Sequence, residues 1–104
     1  MTGSLDIHEL EGLKFPIGQP LVTRGVHELI GEDASFAKFV GSSFVRHCHG
    51  DWGDLGKGDK QMNEDALVNG ERIFSKYKYN KDVSIYIITE WDRSYTTILF
   101  PEEY

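Results

Sequence analysis

The sequence is poor in cysteine and in positive charge, and each shortage excludes a class of protein. Cys48 is the single cysteine, so no internal disulfide can form and a reducing compartment is expected. The chain has 17 acidic residues against 11 basic ones, for a formal net charge of −6. Binding to nucleic acid or to anionic lipid needs a positive surface. We therefore expect no direct nucleic-acid partner, whereas docking into a basic groove of another protein stays open.

Long apolar runs are also missing. No stretch approaches the roughly 20 residues that a membrane-spanning helix needs, and no signal-peptide pattern is visible. The glycines around Gly53 do not lie between a strand and a helix followed by Lys-Ser or Lys-Thr, so they do not form a phosphate-binding loop. These absences predict a cytoplasmic protein without a membrane partner.

The length and composition predict one small domain. The chain has 104 residues, of which 39% are hydrophobic and 12% aromatic, which is enough for a modest core. Residues 1–14 have weak helical spacing that Gly12 interrupts, and we predict a loose N-terminal arm there. Residues 15–104 are predicted to form a single domain.

The last third of the chain predicts two consecutive β-hairpins. Val83–Trp91 and Tyr95–Phe100 are dense in β-branched and aromatic residues, as strands are. A two-residue turn at Asp92–Arg93 pairs Ile87 with Ile98.

The preceding hairpin begins at Arg72 and is predicted to turn at Asn80–Lys81, because Asn tolerates positive φ. That register places Phe74 beside Ile87. The face predicted to pack against helices then carries Phe74, Val83, Ile85, Ile87, Ile98 and Phe100. The opposite, mixed face carries Ile73, Ser75, Tyr77, Tyr86, Ile88, Thr97 and Leu99.

Helical spacing precedes these strands. Phe36, Val40 and Phe44 recur every four residues, which predicts a helix with one apolar face. In a later helix, Met62 and Ala66 are predicted to face inward. The predicted helices are Val26–Ile30, a helix from Asp33 to about His47, and Lys60–Val68. The expected fold is α+β, with helices on one face of a three-stranded antiparallel sheet and, as an option, a short N-terminal edge strand at Leu21–Thr23.

His47, Cys48 and His49 form the densest chemical cluster. Imidazole and thiolate are zinc ligands, but three consecutive residues of a helix point in different directions, and a closed site wants four ligands. A reactive thiol needs an exposed electropositive setting. We therefore predict no metal, no cofactor and no catalytic residue. The alternative is a structural role, in which His47 lies against the negative C-terminal end of the helix dipole. A redox role for the cluster stays open.

Carboxylates near the hairpin end raise an alternative. Glu90, Asp92 and Arg93 surround the second turn, and Asp51 and Asp54 lie in a glycine-rich loop. If loop and turn converge, the cluster suits acid–base work or ligand binding. The commoner interpretation is an Asp–Arg pair that stabilises a turn.

Three segments resemble a family of small proteins encoded on bacterial plasmids and integrative elements. They are HGDWGDL at 49–55, Asn63-Glu64 with Ala66-Leu67 and Gly70, and IITEWDRSYTTILFPEEY at 87–104. The resemblance covers Phe15–Tyr104 and implies a mobile-element setting without an activity or catalytic residues to transfer. Family members have Ala at position 91 and small or apolar residues at 48 and 49. The matching positions are Asp51, Trp52, Asp54, Asn63, Glu90, Asp92, Arg93, Thr96 and Thr97.

We expect a non-enzymatic protein-binding module of a mobile element. Its partner would be a host nuclease or defence complex, inhibited in an anti-restriction or anti-CRISPR manner. Docking is predicted through aromatic residues, which dominate interface hot spots, namely Trp52, Trp91, Tyr77 and Tyr86. The remaining predicted binding residues are Asp51, Asp54, Glu90, Asp92 and Arg93. The alternatives are the small enzyme or ligand-binding domain above and an accessory subunit of a mobile-element complex.

Overall fold

The structure is a computed structural model that describes residues 12–104. Most of the predicted arm therefore lies outside the described residues. Of its last residues, Leu13 packs against the core, and the Lys14 amide donates to the Cys48 carbonyl at 2.9 Å.

The described chain forms three α-helices and four strands. In chain order they are β1 Gln19–Val22, α1 Arg24–Glu32, α2 Ala34–Cys48, α3 Lys57–Asn69, β2 Ile73–Lys78, β3 Ser84–Thr89 and β4 Tyr95–Leu99, followed by a 3₁₀ turn at Pro101–Glu103. The α+β class is confirmed.

The sheet is larger and less regular than predicted. Its order is β1-β4-β3-β2. Strands β2, β3 and β4 are consecutive and antiparallel, as the two hairpins require. β1 adds a fourth strand that runs parallel to β4, so the expected three-stranded antiparallel sheet is corrected to a four-stranded mixed one. The parallel pair arises because α1, α2 and the rest of the chain intervene before β4 returns to β1.

One hairpin register was predicted correctly and the other was wrong by one residue. Ile87 pairs with Ile98, as predicted, but the turn is longer than the predicted two residues: the Glu90 amide donates to the Tyr95 carbonyl at 3.1 Å, and residues 91–94 connect the two. Phe74, however, pairs with Ile88 instead of Ile87. Beyond the ends of β2 and β3, the Tyr79 amide still donates to the Val83 carbonyl at 2.8 Å, so the turn itself has three residues, 80–82, instead of two. The Asn80 side chain stabilises this turn by accepting from the amides of residues 82 and 83 at 2.9 and 2.8 Å. A shift of one residue moves every β2 side chain to the other face.

The two faces of the sheet are therefore redistributed. The inner face, which meets the helices, carries Ile73, Ser75, Tyr77, Ile85, Ile87, Thr89, Thr96 and Ile98. The outer face carries Phe74, Lys76, Tyr86, Ile88, Thr97 and Leu99.

Helix α2 supplies most of the helical side of the core. It begins after Asp33, whose carboxylate accepts from the Phe36 amide at 3.1 Å. It continues without a break to Cys48. Phe36, Val40 and Phe44 pack on the inner face, as their spacing predicts.

Helix α3 begins earlier than predicted and presents a different residue to the sheet. Gly70, with φ 69°, ends it in the left-handed conformation that glycine tolerates. Ala66 is buried as expected, but Met62 is 66% exposed. Asn63 lies inward instead, because its amide bonds the β2 backbone.

The end of the described chain returns to the start of α1. The Glu103 carboxylate accepts from the Thr23 hydroxyl at 2.6 Å, the Gly25 amide at 3.2 Å and the Phe100 amide at 2.8 Å. The Glu103 side chain thus supplies an acceptor for one free N–H group at the α1 N-terminus, that of Gly25.

No helix within residues 12–104 is long and apolar enough to cross a membrane.

Candidate functional site

The histidine–cysteine cluster does not converge on one point. His47 and Cys48 are buried, whereas the His49 ring bonds the Val45 carbonyl at 2.8 Å at the end of α2. Burial raises the pKa of the Cys48 thiol to about 11, which opposes thiolate formation. Across residues 12–104, no three His, Cys, Asp or Glu side chains are grouped closely enough to hold a metal ion.

His47 lies at the centre of a chain of hydrogen bonds across the inner face. Its Nδ1 is 2.6 Å from the Ser75 hydroxyl and its Nε2 is 2.9 Å from the Thr89 hydroxyl. The Thr89 and Thr96 hydroxyls are 2.7 Å apart. Thr96 donates to the Ile17 carbonyl at 2.7 Å. We call this set the inner network.

The direction of each hydrogen bond in the inner network follows from its last member. A carbonyl only accepts, so the Thr96 proton goes to Ile17, and Thr96 must accept from Thr89. Thr89 then accepts from Nε2–H of His47. A neutral ring with its proton on Nε2 accepts from Ser75 at Nδ1. Burial lowers the pKa of His47 to about 3, which keeps the ring neutral, as this assignment requires.

The inner network is suited to structure and not to catalysis. Ser75 and His47 have the separation of a nucleophile and its base, but both are 0% exposed, so no substrate reaches them. Phe15 and Trp52 also pack edge-on against the His47 ring, at 5.4 and 6.0 Å between centroids. A base with a pKa near 3 is also poorly matched to neutral pH.

The glycine-rich loop covers the free edge of the sheet at β2. The Asp54 amide donates to the Lys76 carbonyl at 2.7 Å, and the Asp54 carboxylate accepts from the Lys78 amide at 2.8 Å. Gly53 bridges to Lys76 with φ 76°, where a Cβ would overlap the Lys76 carbonyl oxygen. The loop thus protects a strand edge that would otherwise invite pairing.

The Asn63 side chain covers the same edge of β2 at Phe74, two residues before Lys76. Its side-chain NH₂ donates to the Phe74 carbonyl at 2.6 Å, and its side-chain oxygen accepts from the Phe74 amide at 3.0 Å. The amide thereby replaces the two hydrogen bonds of a neighbouring strand. β2 therefore has no free edge at Phe74, Lys76 or the Lys78 amide.

Two of the aromatic residues predicted to dock a partner belong to the interior. Trp52 is buried and its indole donates to Glu64 at 2.7 Å. Tyr77 is fully buried, and its hydroxyl donates to the Asp51 carbonyl at 2.5 Å. Neither can meet a partner, and for Tyr77 the cause is the shifted β2 register.

Asp51 has a local role beside them. Arg46 holds its carboxylate through Nε and a terminal nitrogen at 2.7 and 3.1 Å. This hydrogen bonding lowers the pKa of Asp51.

The β3–β4 turn uses its polar residues internally. Asp92 accepts from the amide and hydroxyl of Ser94 at 3.0 and 2.6 Å, and the Ser94 contacts lower its pKa. Arg93 donates to three backbone carbonyls, those of Ala66, Glu71 and Glu90. It thereby fastens the turn to the end of α3.

The carboxylates of loop and turn do not converge. Asp54 bonds Lys78, which pairs with Ser84 at the start of β3. Glu90 lies six residues further along that strand, or roughly 20 Å at about 3.3 Å per residue. Asp54 and Glu90 therefore do not lie side by side, as a carboxylate cluster at the hairpin end would require.

The outer face presents an aromatic group that sequence reasoning missed. Phe74 and Tyr86 have centroids 4.6 Å apart, and Tyr104 lies edge-on to both at 6.2 and 6.0 Å. Arg72 donates to the Tyr104 hydroxyl at 2.6 Å and lies 5.6 Å from its ring centre. These four residues form what we call the outer aromatic cluster. Of them, only Tyr86 is among the docking residues that the sequence predicts.

The surface around the outer aromatic cluster remains partly apolar. Leu21 and Tyr95 belong to the outer face by their pairing and are exposed. Tyr104 is 64% exposed, and Trp91 at the turn is 67% exposed. Helices α1, α2 and α3 pack on inner-face residues. The central residues of the outer face are nevertheless buried: Ile88 is 4% and Leu99 6% exposed, and the 3₁₀ turn at Pro101–Glu103 contacts β3. Within residues 12–104, the exposed apolar surface of this face is therefore confined to Leu21, Tyr95 and Tyr104 around them.

A groove adjoins the outer aromatic cluster. It encloses about 470 Å³ between α3 and β2, with Phe74 and Arg72 shared between groove and cluster. Its lining residues are Leu55, Asp59, Met62, Asn63, Asp65, Ala66, Glu71, Arg72 and Phe74.

No family model, curated protein or solved structure matches this chain.

Proposed function

We propose that the protein is a small, non-enzymatic binding module that docks another protein through the outer face of its sheet. One observation carries the proposal: the outer aromatic cluster, with Tyr104 64% exposed, is bordered by further exposed apolar side chains, those of Leu21 and Tyr95 on the same face of the sheet and Trp91 at the turn. Aromatic side chains and arginine are enriched at interface hot spots.

The chemistry of the outer face supports a side-chain-mediated interface. Asn63 and the Trp52–Asp54 segment occupy the β2 edge. At the other edge, β1 contains Pro20, which has no amide hydrogen to offer. A partner that adds a strand is therefore disfavoured, and recognition falls to aromatic and apolar side chains.

The family resemblance bears on the identity of the partner. The resemblance of the GDWGD and DRS-x-TT segments to mobile-element proteins supports a nuclease or defence complex of the host. Asp54, Asn63, Arg93 and Thr96 bond within the fold. Because these matching residues bond within the fold, they support a fold shared with the family that the chain resembles. The docking residues must therefore lie elsewhere on the surface.

Affinity capture with two matched variants tests the proposal. The tagged protein is used to capture partners from lysate of a bacterium that carries restriction and CRISPR systems. Each captured protein is identified, purified and titrated against Tyr104→Ala combined with Leu21→Ser. Val68→Ser, an exposed apolar change on α3, is the control.

We expect the outer-face variant to weaken binding by about 1–3 kcal/mol, or tenfold or more, while Val68→Ser binds like the wild type. Trp52→Ala is unsuitable as a probe because it opens the core. Equal binding by all three proteins, or capture of nothing by a folded wild type, would refute docking through this face. Self-association detected by light scattering would identify a second copy as the occupant instead.

A further inference from the structure

The groove between α3 and β2 combines an apolar floor with acidic sides. Leu55, Met62, Ala66 and Phe74 supply the apolar surface, and Met62 is 66% exposed with no partner covering it. Methionine adapts its shape to different apolar guests. A groove of about 470 Å³ has the volume of a small ligand pocket and accepts one or two large side chains.

The charges along the groove are unbalanced. Asp59, Asp65 and Glu71 line it, against Arg72 alone. Arg72 is directed to Tyr104, to which it donates at 2.6 Å. The ion pairs formed among residues 12–104 are Arg24–Glu28 and Arg46–Asp51, so none neutralises the three acids. The groove therefore has a negative potential that favours a cationic guest.

The remaining geometry restricts how a guest can bind. Asn63 occupies the Phe74 backbone at the back of the groove, so a peptide cannot extend the sheet there. It must insert side chains between α3 and the outer aromatic cluster. An amphipathic segment satisfies this requirement, because it presents apolar anchors and flanking charges on one face.

We infer that this groove binds a basic amphipathic segment of the partner protein, with a large apolar side chain on Met62 and Phe74 and Lys or Arg side chains opposite Asp59, Asp65 and Glu71. The inference rests on the proposed binding function and names the chemistry of its partner. Residues 1–11 of the chain carry three acidic residues and no Lys or Arg, so their charge is wrong for the groove. A second copy, with its net charge of −6, is likewise disfavoured.

A pair of synthetic peptides tests the inference on the full chain. The probe is a fluorescein-labelled amphipathic peptide of leucine and lysine, and its counterpart replaces each lysine with glutamate. Binding is followed by fluorescence anisotropy at about 50 and 150 mM salt, since screening weakens exposed charge pairs. The groove variant is Asp59→Asn with Glu71→Gln. The matched variant, Glu32→Gln with Asp82→Asn, removes the same charge from exposed positions elsewhere.

We expect the lysine peptide alone to bind, and the groove variant to bind it about tenfold more weakly, as local charge pairs contribute to recognition. The matched variant should stay within about twofold of the wild type, and Met62→Gln should weaken binding without changing the salt dependence. Equal losses in both charge variants would reveal general attraction to an acidic protein and overturn the inference. So would the absence of binding to the wild type.

The two proposals fail separately. A partner whose affinity depends on Tyr104 and Leu21 but not on Asp59 and Glu71 leaves the binding function intact and removes the groove. A lysine peptide that binds in the groove, together with a partner insensitive to Tyr104 and Leu21, removes the outer face as the docking surface.

Discussion

The two faces of the sheet use similar residues for opposite purposes. The inner face carries Tyr77 on β2 and Thr96 on β4. The outer face carries Tyr86 on β3 and Thr97 on β4. The inner hydroxyls bond within the protein, whereas neither outer hydroxyl has an internal partner in the described chain. Identical side chains therefore stabilise the fold on one face and remain available for recognition on the other.

The largest expected difference between the faces concerns pH. His47 has a folded pKa of about 3, below its ordinary value of 6.5. Below pH 6.5, His47 binds a proton in the unfolded chain but stays neutral in the folded chain, so protonation favours the unfolded state. The contribution of His47 to the free energy of unfolding is therefore complete above pH 6.5 and decreases as the pH falls toward 3. From pH 8 to 4.5 the loss is about 2.7 kcal/mol at 1.36 kcal/mol per pKa unit.

Urea unfolding at a series of pH values measures this loss. His47→Gln should remove the pH dependence above pH 4.5, where carboxylates remain largely ionised, while the exposed His27→Gln should retain it. If His47→Gln does not fold, NMR titration of the wild-type ring replaces it. A His47 ring that gains its proton near pH 6.5 in the folded protein would contradict the sealed inner network.

Adjacent threonines on β4 give the next largest contrast. Thr96→Val leaves the Thr89 hydroxyl without an acceptor and the Ile17 carbonyl without a donor, so we expect a loss of about 2 kcal/mol in the free energy of unfolding. Thr97→Val, one residue away on the outer face, should change it by less than about 0.5 kcal/mol. Denaturant melts of both variants make the comparison, and equal losses would show that the faces do not differ in this way.

The two tyrosines should show the smallest contrast. Tyr77→Phe removes the donor to the Asp51 carbonyl and should cost about 1 kcal/mol. Tyr86→Phe removes a hydroxyl with no internal acceptor and should leave the melting temperature unchanged within error. Thermal unfolding of both proteins decides, and a larger effect at Tyr86 would reverse the assignment of the faces.

The sequence predicted those features that depend on neighbours along the chain. Helix α2 begins directly after Asp33, and its stripe at Phe36, Val40 and Phe44 packs on the sheet, both as expected. The pairing of Ile87 with Ile98 was also predicted, although the turn that connects the two strands has four residues, 91–94, instead of the two predicted.

Features that depend on distant contacts were not predicted. The β2–β3 loop has one residue more than predicted, and its Asn80 side chain bonds amides of the loop itself. That extra residue places Tyr77 on the inner face and Phe74 on the outer face, the reverse of the prediction. Asn63 pairs with Phe74 across 11 positions, and no periodicity marks such a contact. The outer aromatic cluster was missed for the same two reasons, since Phe74 was assigned to the wrong face and Tyr104 returns through the final turn.

The sequence indicates only some of the hydrogen bonds of the inner network. The register that pairs Ile87 with Ile98 also pairs Thr89 with Thr96, and hydroxyls on an apolar face need hydrogen-bond partners. His47 supplies one of them, but its approach from α2 depends on helix–sheet packing. Sequence reasoning placed it at a helix dipole instead.

The Glu103 contacts have a consequence for how the chain folds. Its carboxylate bonds Thr23, 80 positions earlier, and β1 can pair only with the last strand of the sheet. Closing so large a loop costs entropy before any contact compensates. During synthesis, β1 therefore has no strand to pair with until β4 has left the ribosome. Folding of this domain should complete late, in one cooperative step that joins its two ends.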